Sequence, residues 1–187
     1  MKRLEVGLPT KGSVSTRGLS VCTVRRLRNA TSKGALNTCG AARVGHGVAT
    51  TAVALPGQPA FTARARLLVF NGPRRMGHRS LLLHAYSERP PTSVVVPFRL
   101  ARRRGEFGLT MAADLPAALG PWLRLAGFRL TLGRRYSFRG RRQSFLSATC
   151  PIPRRFTAGF FSLAKVTYTL VGGRQIGTAI TRSCRAP

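Results

Sequence analysis

The sequence predicts an all-β protein: an antiparallel β-sandwich of about ten short strands with one short helix pinned by a disulfide. Three observations predict it. Apolar and polar residues alternate with period two through most of the 187 residues, the pattern of strands with one buried face. Glycine and proline clusters interrupt that alternation at about ten-residue intervals, as turns between short strands do. The sequence has no strand–helix alternation, no tandem repeat and no Ser- or Pro-rich linker, so residues 1–187 read as a single domain.

Taken in order, Leu4-Glu5-Val6-Gly7-Leu8 alternates and turns over Pro9 to Gly12, and Val14 to Leu19 returns as its partner strand. After Cys22 the period changes: Val24, Leu27, Ala30, Ala35 and Leu36 lie among arginines. Ser32 is placed to cap a short helix that runs through Cys39 and ends at Gly40. With Cys22 joined to Cys39, that helix becomes a small lid on a sheet. Gly34 and the short apolar face argue against a membrane-surface helix there.

Val44 to Leu55 is a long strand rich in Val, Ala and Thr, closed by Pro56-Gly57-Gln58-Pro59. Phe61 to Phe70 sets Ala63, Ala65, Leu67 and Val69 opposite Thr62, Arg64 and Arg66, until Asn71-Gly72-Pro73 breaks it. Arg79 to Glu88 and Ser93 to Ala101 are strands separated by Arg89-Pro90-Pro91. Glu106 to Leu115 is another, and Pro116 to Pro121 is a connection with room for one helical turn. Leu123 to Leu132 alternates, then Arg135 to Phe138 and Gln143 to Cys150 flank a turn at Gly140. In the C-terminal hairpin, Ala164, Val166, Tyr168 and Leu170 share a face with Ile176, Thr178, Ile180 and Cys184. A Gly172-Gly173-Arg174 loop pairs Leu170 with Ile176. Phe161 and Leu163 fall in the opposite phase, which predicts a bulge near Ala164–Lys165.

The charge is extreme: 32 Lys+Arg against 4 Asp+Glu give a formal +28. Only Lys2, Lys11, Lys33 and Lys165 are lysines, an imbalance that fits the codon bias of a GC-rich genome. A chain so charged attracts polyanions with strong salt dependence, although a solvated basic surface with no partner has the same composition. Arg134, Arg135, Arg139, Arg141 and Arg142 form the candidate binding face, where many donors can meet carboxylate or phosphate. Tyr136 and Phe138 interleave with them, as in single-strand binders, but alternation turns both rings to one face, the arrangement of core residues.

Four cysteines without a Cys-x-x-Cys, and His46, His78 and His84 without ligand spacing, argue against zinc or another metal. Three disulfide connectivities are open, and the sequential one, Cys22–Cys39 with Cys150–Cys184, is taken; disulfides imply maturation outside the cytosol. Glu5, Glu88, Glu106 and Asp114 are isolated, so no catalytic carboxylate pair is evident. Gly172-Gly173-Arg174-Gln175-Ile176-Gly177 lacks a phosphate-loop lysine, and Gly45-His46-Gly47 lacks the third glycine of a dinucleotide loop and reads as a turn. His84 reads as a satisfied sheet histidine. No catalytic residue or cofactor is assigned, and the expectation is a protein that is not an enzyme.

Several segments carry a resemblance: Gly18-Leu19-Ser20-Val21-Cys22, Leu55-Pro56-Gly57-Gln58-Pro59-Ala60-Phe61, Phe70-Asn71-Gly72, Phe145-Leu146-Ser147-Ala148-Thr149-Cys150-Pro151 and Thr181-Arg182-Ser183-Cys184. With these, and over nearly its whole length, the chain resembles a group of secreted β-rich proteins of high-GC soil actinobacteria that have no established activity. The resemblance implies an extracellular or cell-surface protein stapled by disulfides. It also implies that relatives begin earlier, with a secretion signal and a further strand; Met1-Lys2-Arg3-Leu4-Glu5 has no signal-peptide pattern. An N-terminal truncation of that kind would leave an unpaired sheet edge at Leu4–Leu8. The functional expectation is a non-catalytic surface module that binds anionic cell-envelope polymers, the alternative being an intracellular nucleic-acid-binding protein. No segment approaches the roughly 18 apolar residues of a membrane-spanning helix.

Overall fold

A computed structural model describes residues 2–115, 122–149, 152 and 157–185. Thirteen strands are present among them: β1 (Arg3–Leu8), β2 (Gly12–Val14), β3 (Arg43–Val53), β4 (Phe61–Asn71), β5 (Arg79–Glu88), β6 (Pro91–Arg102), β7 (Leu109–Asp114), β8 (Leu123–Leu132), β9 (Arg135–Phe138), β10 (Arg141–Ser144), β11 (Leu146–Ala148), β12 (Ala158–Thr169) and β13 (Gln175–Arg185). Nine form one sheet in the order β13-β12-β1-β7-β6-β5-β4-β3-β8. Each neighbouring pair is antiparallel. The ribbons β9–β10 and β2–β11 stand beside it.

Where the sequence predicts two facing sheets, the structure has one sheet curled until its own halves face each other. Phe128 on the edge strand β8 meets Tyr168 on β12 edge-to-face, with ring centroids 6.4 Å apart. Period-two alternation is the same for a sandwich and for a curled sheet, which is why the sequence does not separate them. The curl brings β3 and β8 so close at Gly45 and Gly47 that a Cβ would stand 2.6 Å from the Thr131 carbonyl oxygen and 2.1 Å from that of Arg129. Those glycines are therefore places of close backbone approach inside a strand, and His46 between them is a strand residue, not the predicted turn residue.

The predicted edge at Leu4–Leu8 does not exist. β1 pairs with β7 on one side and β12 on the other, and the sheet edges are β13 and β8. Nor does Val14 to Leu19 return along β1: β2 is short and pairs with β11.

Two clusters cover the sheet's two faces. On the concave face Leu4, Leu8, Val69, Leu81, Val96, Phe98, Leu100, Met111 and Phe145 are buried together. On the convex face Leu68, Phe70 and Leu82 pack under α1 (Val24–Leu27) and α2 (Ser32–Cys39). Odd-numbered residues of β4 and β5 thus face inward and even-numbered ones meet the helices, the strand period of two. The predicted lid is present, and the Cys22–Cys39 disulfide pins it. Its cap is Thr31, whose Oγ accepts from the Gly34 amide at 3.1 Å, one residue before the predicted Ser32.

Candidate functional site

The inward side chains change size along the strands. From one end of the sheet to the other, β4 presents Ala63, Ala65, Leu67 and Val69; β5 presents Ser87, Ala85, Leu83 and Leu81; β6 presents Thr92, Val94, Val96 and Phe98. Large residues pack with Phe145 at one end of the curled sheet, and Met111, Leu81 and Phe98 among them also line the cavity. At the other end alanines, threonines and a serine leave it unfilled, because nine strands enclose more width than such side chains span. The result is an apolar cavity of about 570 Å³, within the roughly 300–1,000 Å³ of small-molecule sites.

Leu123, Leu125, Leu170 and Val171 line the open end of the cavity, and Arg124 is the charged residue among its described lining. Lining hydroxyls come from Thr51, Ser87 and Thr92; that of Thr51 donates to the Ala63 carbonyl at 3.3 Å. At the closing contact, burial raises the Tyr168 phenol above its ordinary pKa. No family model, characterised protein or solved structure matches this chain. The cavity itself is therefore the ground for a functional reading.

The five predicted binding arginines divide. Arg134 is structural: its Nη1 donates to the carbonyls of Ala41 at 2.6 Å and Arg43 at 3.1 Å, tying β9 to the start of β3. Arg135, Arg139, Arg141 and Arg142 are exposed on the β9–β10 ribbon. Arg139, at positive φ in the turn, stacks over Phe138 with its guanidinium carbon 5.4 Å from the ring centre. Phe138 also lies so close to Gly18 that a Cβ there would be 2.2 Å from the ring. The Tyr136 hydroxyl donates to the Arg17 carbonyl at 2.9 Å. Both rings are half-buried: Tyr136 packs against the concave cluster, and Phe138 contacts Gly18 and Arg139.

Of the predicted disulfide residues, Cys22 and Cys39 are joined. Cys184 is disulfide-bonded; Cys150, its predicted partner, lies outside the described residues, as does the connection predicted from Pro116 to Pro121. His84 is fully buried beneath the lid, its Nε2 2.9 Å from the Ala30 carbonyl oxygen and 3.2 Å from Ser93 Oγ, with Nδ1 left without a partner. Burial lowers its pKa, against the opposing effect of the Ala30 hydrogen bond. Glu5 and Asp114, isolated in sequence, converge on Arg3 at 2.9 and 2.8 Å, a juxtaposition made by pairing β1 with β7. Among the described residues no cluster of three His, Cys, Asp or Glu side chains gathers to hold a metal.

Sequence reasoning missed the cavity, although its signal was there. Ala63 and Ala65 in β4, Ala85 and Ser87 in β5 and Ala49 and Thr51 in β3 are small inward residues that pairing brings together. Reading it required knowing the pairing, because only register shows that Ala49, Ala65 and Ser87 stand side by side, with Thr51 and Ala63 at the next level and Ala85 one level back beside Leu67.

Proposed function

We propose that this chain is a non-catalytic binding protein that carries an apolar or amphiphilic small molecule in the cavity of its curled sheet, and that it works outside the cytosol. One observation carries the reading: on β3, β4 and β5 the inward side chains towards one end of the sheet are small, and a mostly apolar cavity of about 570 Å³ lies over them. A mostly apolar cavity of this kind gains free energy by taking up an apolar guest. The described lining offers three hydroxyls and one arginine, which can orient a ligand and supply no ordinary general base. The Cys22–Cys39 disulfide supports the location.

Titration with N-phenyl-1-naphthylamine tests this reading, since a neutral probe is not drawn by the +28 charge. Saturable emission at one probe per chain is expected. Ala65→Phe fills the cavity from inside and is expected to weaken binding at least ten-fold without lowering the unfolding midpoint. Unsaturable emission, or equal binding by the filled variant, would sink the proposal.

A second reading rests on Arg135, Arg139, Arg141 and Arg142, exposed together on one ribbon. It assigns that ribbon to anionic cell-envelope polymers, with nucleic acid as the intracellular alternative. The slope of log affinity against log salt, compared between teichoic-acid-like polymer and single-stranded DNA before and after R139Q/R141Q/R142Q, separates the two.

A further inference from the structure

The open end of the cavity carries a second feature. Ten large hydrophobic residues are exposed among those described, and five of them, Phe61, Trp122, Leu125, Val171 and Ile176, gather at that end of the sheet. Phe61 and Leu123 lie opposite Val53 on its two sides, and Trp122 precedes Leu123. Val171 and Ile176 belong to the β12–β13 hairpin, where Ile176 lies opposite Tyr168, and Val171 lines the same cavity as Leu123 and Leu125. Val171 stands at the tip between β12 and β13 and is 82% exposed. Such a patch on a soluble surface marks an interaction site. Here it is continuous with the cavity, because Leu125 and Val171 belong to rim and lining alike. Arg89, Arg124 and Arg174 are exposed at this end; of the carboxylates there, Glu88 is exposed beside Arg89 and Asp114 is already bonded to Arg3, which leaves the rim net basic.

We infer that this rim seats on the surface of an anionic phospholipid bilayer, with Trp122 and Val171 entering the headgroup region and the arginines meeting lipid phosphates. Tryptophan favours that interface because its ring is apolar and its N–H remains wet. Each basic side chain near an anionic membrane adds attraction, and the molecule's +28 draws it there. The purpose of docking rests on the cavity reading, since an apolar guest would pass from bilayer to cavity without crossing water. The docking geometry does not depend on that reading.

Trp122 is the chain's single tryptophan, so its fluorescence reports on the rim alone. The experiment mixes the full chain with vesicles of phosphatidylcholine alone or with phosphatidylglycerol, following flotation and Trp122 emission. With the anionic vesicles, flotation, a blue shift and quenching by brominated acyl chains are expected. Phe61→Ser, which leaves the described cavity lining intact, is expected to reduce partitioning at least five-fold, and W122S/F61S at least ten-fold, with probe binding in the cavity unchanged. Flotation with Trp122 unshifted and unquenched, and with the double variant bound as well as the parent, would mean that surface arginines elsewhere make the contact; that overturns the inference, as would no flotation. Loss of probe binding in the parent chain would instead count against the cavity reading.

Discussion

His84 shows how one buried side chain couples this fold to pH. Its Nε2–H donates to the Ala30 carbonyl, which leaves the buried Nδ1 as an acceptor without a partner. Protonation would place a charge and an unpaired donor in the layer between sheet and lid. The folded pKa is therefore lowered, burial being the main cause. In the unfolded chain the group takes a proton near its ordinary value of about 6.5, so below that pH the unfolded state binds more protons and stability falls with pH. His84's contribution is complete above about pH 6.5 and declines on acidification from there towards the folded pKa. Urea midpoints between pH 8 and 5 should drop for the parent chain and drop less steeply for His84→Gln, whose amide can still reach Ala30. Equal slopes for the two chains would refute the assignment. The sequence placed His84 in a strand and satisfied; that only one of its nitrogens is satisfied depends on Ala30, 54 residues away.

At the scale of elements, the disulfide and the two helices act as one unit on the convex face. Cys22 and Cys39, separated by 17 residues, close the loop that contains α1 and α2. The chain-entropy estimate gives about 3 kcal/mol for a loop of that length. Leu27 and Ala35 also pack with Leu68, Phe70 and Leu82, contacts in which the disulfide takes no direct part. The variant C22A/C39A should therefore lose about 3 kcal/mol, plus a smaller packing loss, while keeping its strand circular dichroism. Loss of the sheet signal would show that the lid is required for the fold and does more than cover it. Elements of this length were largely legible from sequence. The bulge predicted near Ala164–Lys165 falls between Ser162 and Ala164, and the strands over 79–88, 123–132 and 135–138 have the predicted bounds. Partners were less legible. β2 joins β11 across 134 residues, and Tyr168, not Leu170, lies opposite Ile176, because turn geometry and long-range pairing set register while local alternation sets only the face.

At the scale of the whole molecule, the curled sheet is a container whose two ends differ in how they are filled, so changes of volume should have opposite consequences at each. At the closed end Phe145 is 1% exposed and packs with the concave cluster. Truncating it to alanine removes contacts from every side, and such substitutions cost about 3–5 kcal/mol. At the open end Ala85 lines the cavity, and a larger side chain there meets empty space where a packed core would resist it. Ala85→Leu should leave stability unchanged or raise it, since it buries apolar area at about 25 cal/mol per Å² without overpacking, and it should reduce the affinity for a neutral apolar probe. A uniformly packed interior would instead make both variants less stable. Thermal unfolding of F145A and A85L, together with probe titration of A85L, distinguishes a container from a core. A destabilised A85L with unchanged probe binding would place the probe, and the function argued from the cavity, somewhere else on the molecule.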